Sequence, residues 1–404
     1  MAHTMRAPAH RALQQIRAGE VATHAVASSS RVVLGSVAAS SRSYATHTTM
    51  PPSPPPAPPS GKPQPQTVSS QAQPEPSLAP LRVIHPPSHL ASYFWPAELR
   101  PHYLTLQSLF LELSHVPTTV SSEILGRIRY GWWRDAVSAC FRQQGRRYKH
   151  PIIVALEELI WDPRVRQRGG VVQEHFEAII SAWEDALSEP SSAAPLVDLE
   201  ARSERIYSRQ FYLHLNLLGA DSRPLDEVFS HLGKANGLLE AIIDTPMRMG
   251  MKLTPNSPDE ASAGGNVAGR VAKNRKPPLS ETHRGLALPQ EYLAKHGVVE
   301  EDVYRQGGSA KGLRDAVFDT ATRANDYLIT VRKEVRESLP KGRVSSGEGG
   351  GRPAIVGASV VPHLLQRLEH YDFDPFTPAF RIEARGHGWR LPLRMWRVGW
   401  TGRL

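Results

Sequence analysis

From Pro96 onward, the apolar side chains of this 404-residue chain recur every three or four positions, and no stretch alternates well enough to suggest a sheet. A helix presents one stripe every 3.6 residues, whereas a half-buried strand alternates strictly. The pattern therefore predicts an all-α protein. The first helix starts at Pro96 with a face of Leu99, Tyr103, Leu106, Phe110 and Leu113, and ends before Pro117. A Thr/Ser cap with Glu123 close behind opens the second, whose face is Ile124, Ile128, Trp132, Ala136 and Cys140. Further helices are expected over 151–161, 171–187, 196–218, 225–243, 289–296, 313–339 and 354–371, with a basic, aromatic segment at the end. Long helices on short connections make one bundle, spanning 88–404.

What precedes that bundle has no core to bury. Residues 1–44 carry arginines at 6, 11, 17, 31 and 42 and a single acid, Glu20. This cationic, hydroxyl-rich, acid-poor stretch has the profile of a mitochondrial transit peptide, with Arg42-Ser43-Tyr44 resembling a matrix peptidase site. Its loss removes five positive charges and one negative, so the formal net charge falls from +9 to +5. Much of the basicity thus belongs to the leader and not to a nucleic-acid footprint. Residues 45–87 read as a disordered Pro/Gln/Ser linker, with seven prolines between Pro51 and Pro59. Two islands, 254–284 and 341–353, are rich in Gly and polar residues and read as disordered insertions; the Lys273 to Lys276 cluster within the first reads as a solvated loop. The only cysteine, Cys140, excludes an internal disulfide framework and a multi-cysteine zinc site. No run of about 18 apolar residues exists, so membrane contact, if any, is peripheral.

One ordered set of landmarks carries chemistry. Glu112, Ser114 and His115 follow the helix face Tyr103 to Phe110; Ile128-Arg-Tyr-Gly-Trp-Trp133 comes next, and Asp185 ends the 171–187 helix. His231 to Ile243 then runs into Asp244-Thr-Pro246, and Leu286-Ala-Leu-Pro289 follows. Glu240 and Asp244 stand four apart and project from one helix face. A carboxylate pair of this kind can grip one magnesium ion. Holding magnesium against a diphosphate needs carboxylates from a second, facing helix as well, because the ion demands several oxygen ligands. The polar spot beside Arg248 and Lys252 is the other reading of the pair. His115 reads as a partnered or surface histidine in preference to a general base.

From about Ala91 to Trp400 these landmarks resemble the squalene/phytoene synthases, of isoprenoid-synthase fold. The resemblance implies two Asp-rich helices facing each other across an apolar cavity. This chain departs from it: the place of the first acidic motif holds Glu112, Ser114, His115 and Thr118, and the second retains Asp244, with Thr245 to Arg248 replacing the acids expected next. Gly233-Lys-Ala-Asn-Gly237, Thr245-Pro246 and Phe373-Asp-Pro-Phe376 resemble more closely a branch of the superfamily that assists assembly of mitochondrial respiratory complex I. That branch implies a pseudoenzyme without a cofactor or nucleic acid, peripheral on the matrix face of the inner membrane. Its partner would be an assembly intermediate holding an early membrane-arm subunit. The alternatives are a divergent magnesium-dependent prenyl-diphosphate transferase, with Glu112 helping Glu240 and Asp244, and a lipid- or quinone-binding module.

At the end of the chain Trp389, Trp396 and Trp400 fall within about 40° of one another on a helical wheel, with Leu393 nearby and Arg390, Arg394 and Arg397 flanking. Such a helix is either an interfacial anchor at an anionic membrane or the closing helix of the bundle with snorkelling arginines.

Overall fold

The computed structural model describes residues 79–188, 193–220, 222–250, 285–338, 350–386, 388–402 and 404. The transit peptide, most of the proline-rich linker and the 254–284 insertion lie outside the described residues, and so does most of the 341–353 insertion. Among the described residues every regular element is helical. The linker assignment ran too far: helix α1 (Ala79–Ile84) already seats Leu81 in the core, and α2 (Pro86–Ser92) follows.

Helix α3 (Arg100–Thr119) does not stop at Pro117 but carries it in its last turn. A proline there leaves the carbonyl four residues earlier, that of Leu113, without its helical donor. The fully buried Tyr130 supplies one, its hydroxyl donating to the Leu113 carbonyl oxygen at 2.9 Å. Tyr130 belongs to α4 (Glu123–Phe141), opened by Ser122, whose Oγ accepts from the Leu125 amide. The apolar face of α4 differs from the expected one. Gly126, Tyr130, Trp133, Val137 and Cys140 are buried, while Ile124 and Ile128 are exposed. Gly126 is the reason: the Leu187 side chain occupies the space a Cβ would need, 2.6 Å away, so the bare backbone is turned inward.

Beyond these lie α5 (Pro151–Trp161), α6 (Pro163–Gln167) and α7 (Gln173–Asp185). The run expected over 196–218 is one helical rod with a wide, π-type turn, Glu204–Ser208, between α8 (Leu196–Ser203) and α9 (Arg209–Leu218). Helix α10 (Arg223–Arg248) is the hub, burying Leu225, Val228, Phe229, Leu232, Leu238 and Ile242. No corner forms at Asp244-Thr-Pro246; the helix passes through Pro246 to Arg248. Its largest neighbour is α13 (Leu313–Ser338), with α8 and the wide turn also packed against it. Short α11 (Gln290–Lys295) and α12 (Glu300–Gln306) precede α13.

The 354–371 helix breaks at buried Ser359, whose hydroxyl donates to the Val356 carbonyl, into α14 (Arg352–Ala358) and α15 (Val360–His370). Helix α14 thus begins inside what was expected to be the second insertion. The chain closes with α16 (Pro378–Ala384) and α17 (Arg390–Thr401).

Candidate functional site

The Gly-Lys-Ala-Asn-Gly motif is a packing device. A Cβ on Gly233 would fall on Ser208, 2.6 Å from its Cα, and one on Gly237 would fall on the Ser203 side chain. The two glycines, one turn apart, let α10 lie directly against the wide turn, and the Ser208 hydroxyl closes the crossing by donating to the Ser230 carbonyl at 3.1 Å. Lys234 projects beside them and pairs with Glu204 at 3.1 Å. Wide turns of this kind displace a helix's phase and recur at functional sites. Here the turn brings the Tyr207 ring to within 3.1 Å of where a Gly237 Cβ would sit.

Further along α10 stand Glu240 and Asp244, both half-buried and one turn apart. Burial, and then the adjacent Asp244, push the Glu240 carboxyl up to about 8. Burial raises Asp244 too, against the pull of Arg248 and Arg202. The Tyr207 hydroxyl is raised well above its usual value, by burial first and then by the two carboxyls. The structure therefore assembles Glu240 and Asp244, which the sequence singled out, with Tyr207 and Arg202, which it did not. By periodicity alone Tyr207 falls in an apolar stripe with Phe211 and Leu215. The small residues Ser203 and Ser208, spaced to meet Gly237 and Gly233, were the signal for the close crossing.

The other wall forms a separate group. Ser114 donates to the Leu111 carbonyl on its own helix, and exposed Thr118 to that of His115. Burial lowers His115, with Glu112 opposing; burial also lowers His150, with Glu112 opposing and Arg129 adding to the fall. The groups acting on Glu240 and Asp244 are none of these. Asp185, expected beside the pocket, sits at the exposed end of α7 in an ion pair with Arg205 at 2.8 Å.

Glu240 and Asp244 offer magnesium two carboxylates from one helix, with the positive charge of Arg202 and Arg248 acting on Asp244, which makes a poor donor set for a hard dication that needs several oxygens. Among the described residues, no group of three or more His, Cys, Asp or Glu is placed to hold a metal ion. What the cluster can do is hydrogen-bond as a neutral acid beside a phenol.

That protonation has a measurable sign. Between an ordinary glutamate value of 4.5 and the folded value of about 8, the folded chain keeps a proton that the unfolded chain has lost. Stability should therefore fall as pH rises through this window and level off above it. Glu240→Gln removes the dependence, so its urea midpoint should gain on the parent between about pH 5 and about pH 8. Parallel midpoints across that range would show the proton is not there.

Helix α17 shows two opposed faces. Leu391, Met395 and Val398 are buried, whereas Trp389, Trp396 and Trp400 are exposed at 71%, 58% and 77%. At 100° per residue the two sets lie on opposite sides of the helix. The tryptophans thus do not close the bundle; the aliphatic residues do.

A single all-α bundle around a long central helix is the architecture of the isoprenoid-synthase class of protein. The family model described as squalene/phytoene synthase matches residues 85–250 and 265–397. The chain belongs to the squalene/phytoene synthase family. Among solved structures it is similar to squalene synthase HpnC from Alicyclobacillus acidocaldarius, with a TM-score of 0.52, 15% identity, and coverage of 73% of this chain and 92% of that one. That likeness speaks to the fold. Among curated proteins it is similar to NADH dehydrogenase (ubiquinone) complex I, assembly factor 6 of Rattus norvegicus, 25% identical over 316 residues and covering 78% of each chain. The protein of the same name from Homo sapiens is 22% identical over 312 residues, 77% of each chain. The homolog from Dictyostelium discoideum is 22% identical over 256 residues, 63% of this chain and 58% of that one.

Proposed function

We propose that this chain is a mitochondrial assembly factor for respiratory complex I that keeps the synthase fold without the synthase reaction. It works as a peripheral protein on the matrix face of the inner membrane, on an intermediate that holds an early membrane-arm subunit. The observation that carries the reading is the similarity to assembly factor 6 proteins along 78% of both chains. The site supports it: Glu240 and Asp244 stand on one helix, and among the described residues no group of three or more His, Cys, Asp or Glu is placed to hold a metal ion. No described helix is long and apolar enough to cross a membrane, which is compatible with peripheral attachment.

Deleting the gene should lower assembled complex I on a native gel while the other respiratory complexes persist. Returning a Glu240→Gln, Asp244→Asn double variant should restore complex I as fully as the parent chain does. Normal complex I in the deletion would overturn the assembly reading. Failure of the double variant, expressed at parental level, would overturn the non-catalytic one.

A further inference from the structure

Helix α17 lacks any acid, and its charges are one-sided. On the wheel Trp389, Leu393, Trp396 and Trp400 occupy one arc, and Arg390, Arg394 and Arg397 occupy the next, between the tryptophans and the buried aliphatic face. On the opposite flank Gly399 packs on the Phe94 ring, 2.8 Å from where its Cβ would sit. The aromatic row therefore has one free direction, outward. Trp396 and Trp400 stack on each other with ring centroids 6.1 Å apart, which leaves most of both rings open. Three such rings and Leu393 form a contiguous apolar strip, unlike the scattered single side chains normal for a soluble surface.

Arg390 pairs with Glu383 at 3.6 Å, but Arg394 and Arg397 are crowded without such compensation. Burial, then Arg332, then Arg397 push Arg394 down to about 10. The Arg394 side chain donates from Nη1 to the neutral Gln366 Oε1 at 3.2 Å, and its buried Nε has no hydrogen-bond partner. Among the described residues, no carboxylate forms an ion pair with Arg394 or Arg397. Arg394 and Arg397, close together and with no carboxylate of their own, make a place for an anion from outside the chain. Tryptophans that match the headgroup level, flanked by arginines that match phosphates, are the chemistry of an anionic bilayer surface.

We propose that the outward face of α17 docks this protein on an anionic lipid bilayer, with Trp389, Trp396 and Trp400 at the headgroup boundary and Arg394 and Arg397 on lipid phosphates. The inference rests on the peripheral-membrane part of the proposed function and names the surface responsible. It leaves the helix lying in the membrane plane, with Leu391, Met395 and Val398 still in the protein core.

The test uses the full chain and vesicles of phosphatidylcholine alone or with about one third phosphatidylglycerol. The parent should float with the anionic vesicles and not the neutral ones, and should be released by salt. Trp396→Ser with Trp400→Ser should weaken binding about tenfold or more, with the urea midpoint unchanged because both side chains are exposed. Arg394→Gln with Arg397→Gln should weaken it and flatten its salt dependence. The basic residues 1–44 are common to every variant, so differences report α17. Bromine-labelled acyl chains should quench the parent's fluorescence more than that of the Trp396, Trp400 variant, which keeps Trp389. Equal binding by parent and tryptophan variant would overturn the proposal, as would absence of parental binding. Protection of Trp396 by a protein partner with no vesicle binding would also overturn it. None of these results bears on whether the deletion lowers complex I, so the two proposals fail separately.

Discussion

Gly233→Ala should destabilise this protein by about 3 kcal/mol, although alanine is the better helix former by about 1 kcal/mol. The sign is decided by what the new methyl would meet. A Cβ at 233 lands on Ser208, 2.6 Å from its Cα, so the obstruction is backbone that no rotamer change can clear. Helix α10 and the wide turn must then separate, which opens the Ser208–Ser230 hydrogen bond and draws Tyr207 away from the acidic pair. Gly237→Ala meets the Ser203 Cβ and Oγ and should behave alike. Gly131 is the control, because it lies mid-helix in α4 with nothing within 4 Å of its would-be Cβ. There alanine should gain up to about 1 kcal/mol from propensity alone. Urea midpoints of the variants, measured side by side, give the comparison. A Gly233→Ala protein as stable as its parent would mean that α10 does not approach the turn so closely.

The same crossing shows where reading the sequence succeeded and where it stopped. Periodicity located almost every long helix, because a buried stripe every three or four residues has no competing explanation over such lengths. It missed the phase of α4, because a glycine carries no hydrophobic signal. Gly126 is buried for its lack of a side chain, under Leu187, while Ile124 and Ile128 look like core and are exposed. Pro117 was taken as a stop because the donor that compensates for it, Tyr130, comes from another helix. At the site, four-residue spacing was enough to pair Glu240 with Asp244. Tyr207 could not be placed with them, because it lies inside the wide turn at 204–208, where the helical register shifts. For Asp185 a resemblance gives the helix and not the direction of the side chain, which here meets Arg205 at the exposed end of α7. On α17 the answer was present but unread: Leu391, Met395 and Val398 form their own stripe opposite the tryptophans, and that stripe fixes which face is turned inward.

Arg367 holds the seat of that C-terminal helix, and Arg367→Ala should cost about 3 kcal/mol, most of it from what is left behind. The buried guanidinium reaches from α15 to the Glu383 carboxylate on α16 through Nε and Nη2, the second contact at 3.2 Å. The Tyr371 hydroxyl donates to the same carboxylate at 3.2 Å, and the Arg367 guanidinium lies 5.1 Å from the Tyr371 ring centroid. Removing the arginine strands a largely buried carboxylate, with Arg390 at 3.6 Å as the remaining cation within reach. Arg390 is the first residue of α17, so any shift of it towards Glu383 pulls on the start of the helix that carries the tryptophan row. Two readouts follow. The Arg367→Met, Glu383→Leu double variant should be more stable than either single variant, because an apolar pair of similar size strands no charge. In Arg367→Ala alone, amides of residues 390–401 should exchange with solvent faster than the loss of global stability accounts for, as local opening of a poorly anchored element requires. Additive single effects would show instead that the two side chains act independently and that α17 is seated by its aliphatic face alone.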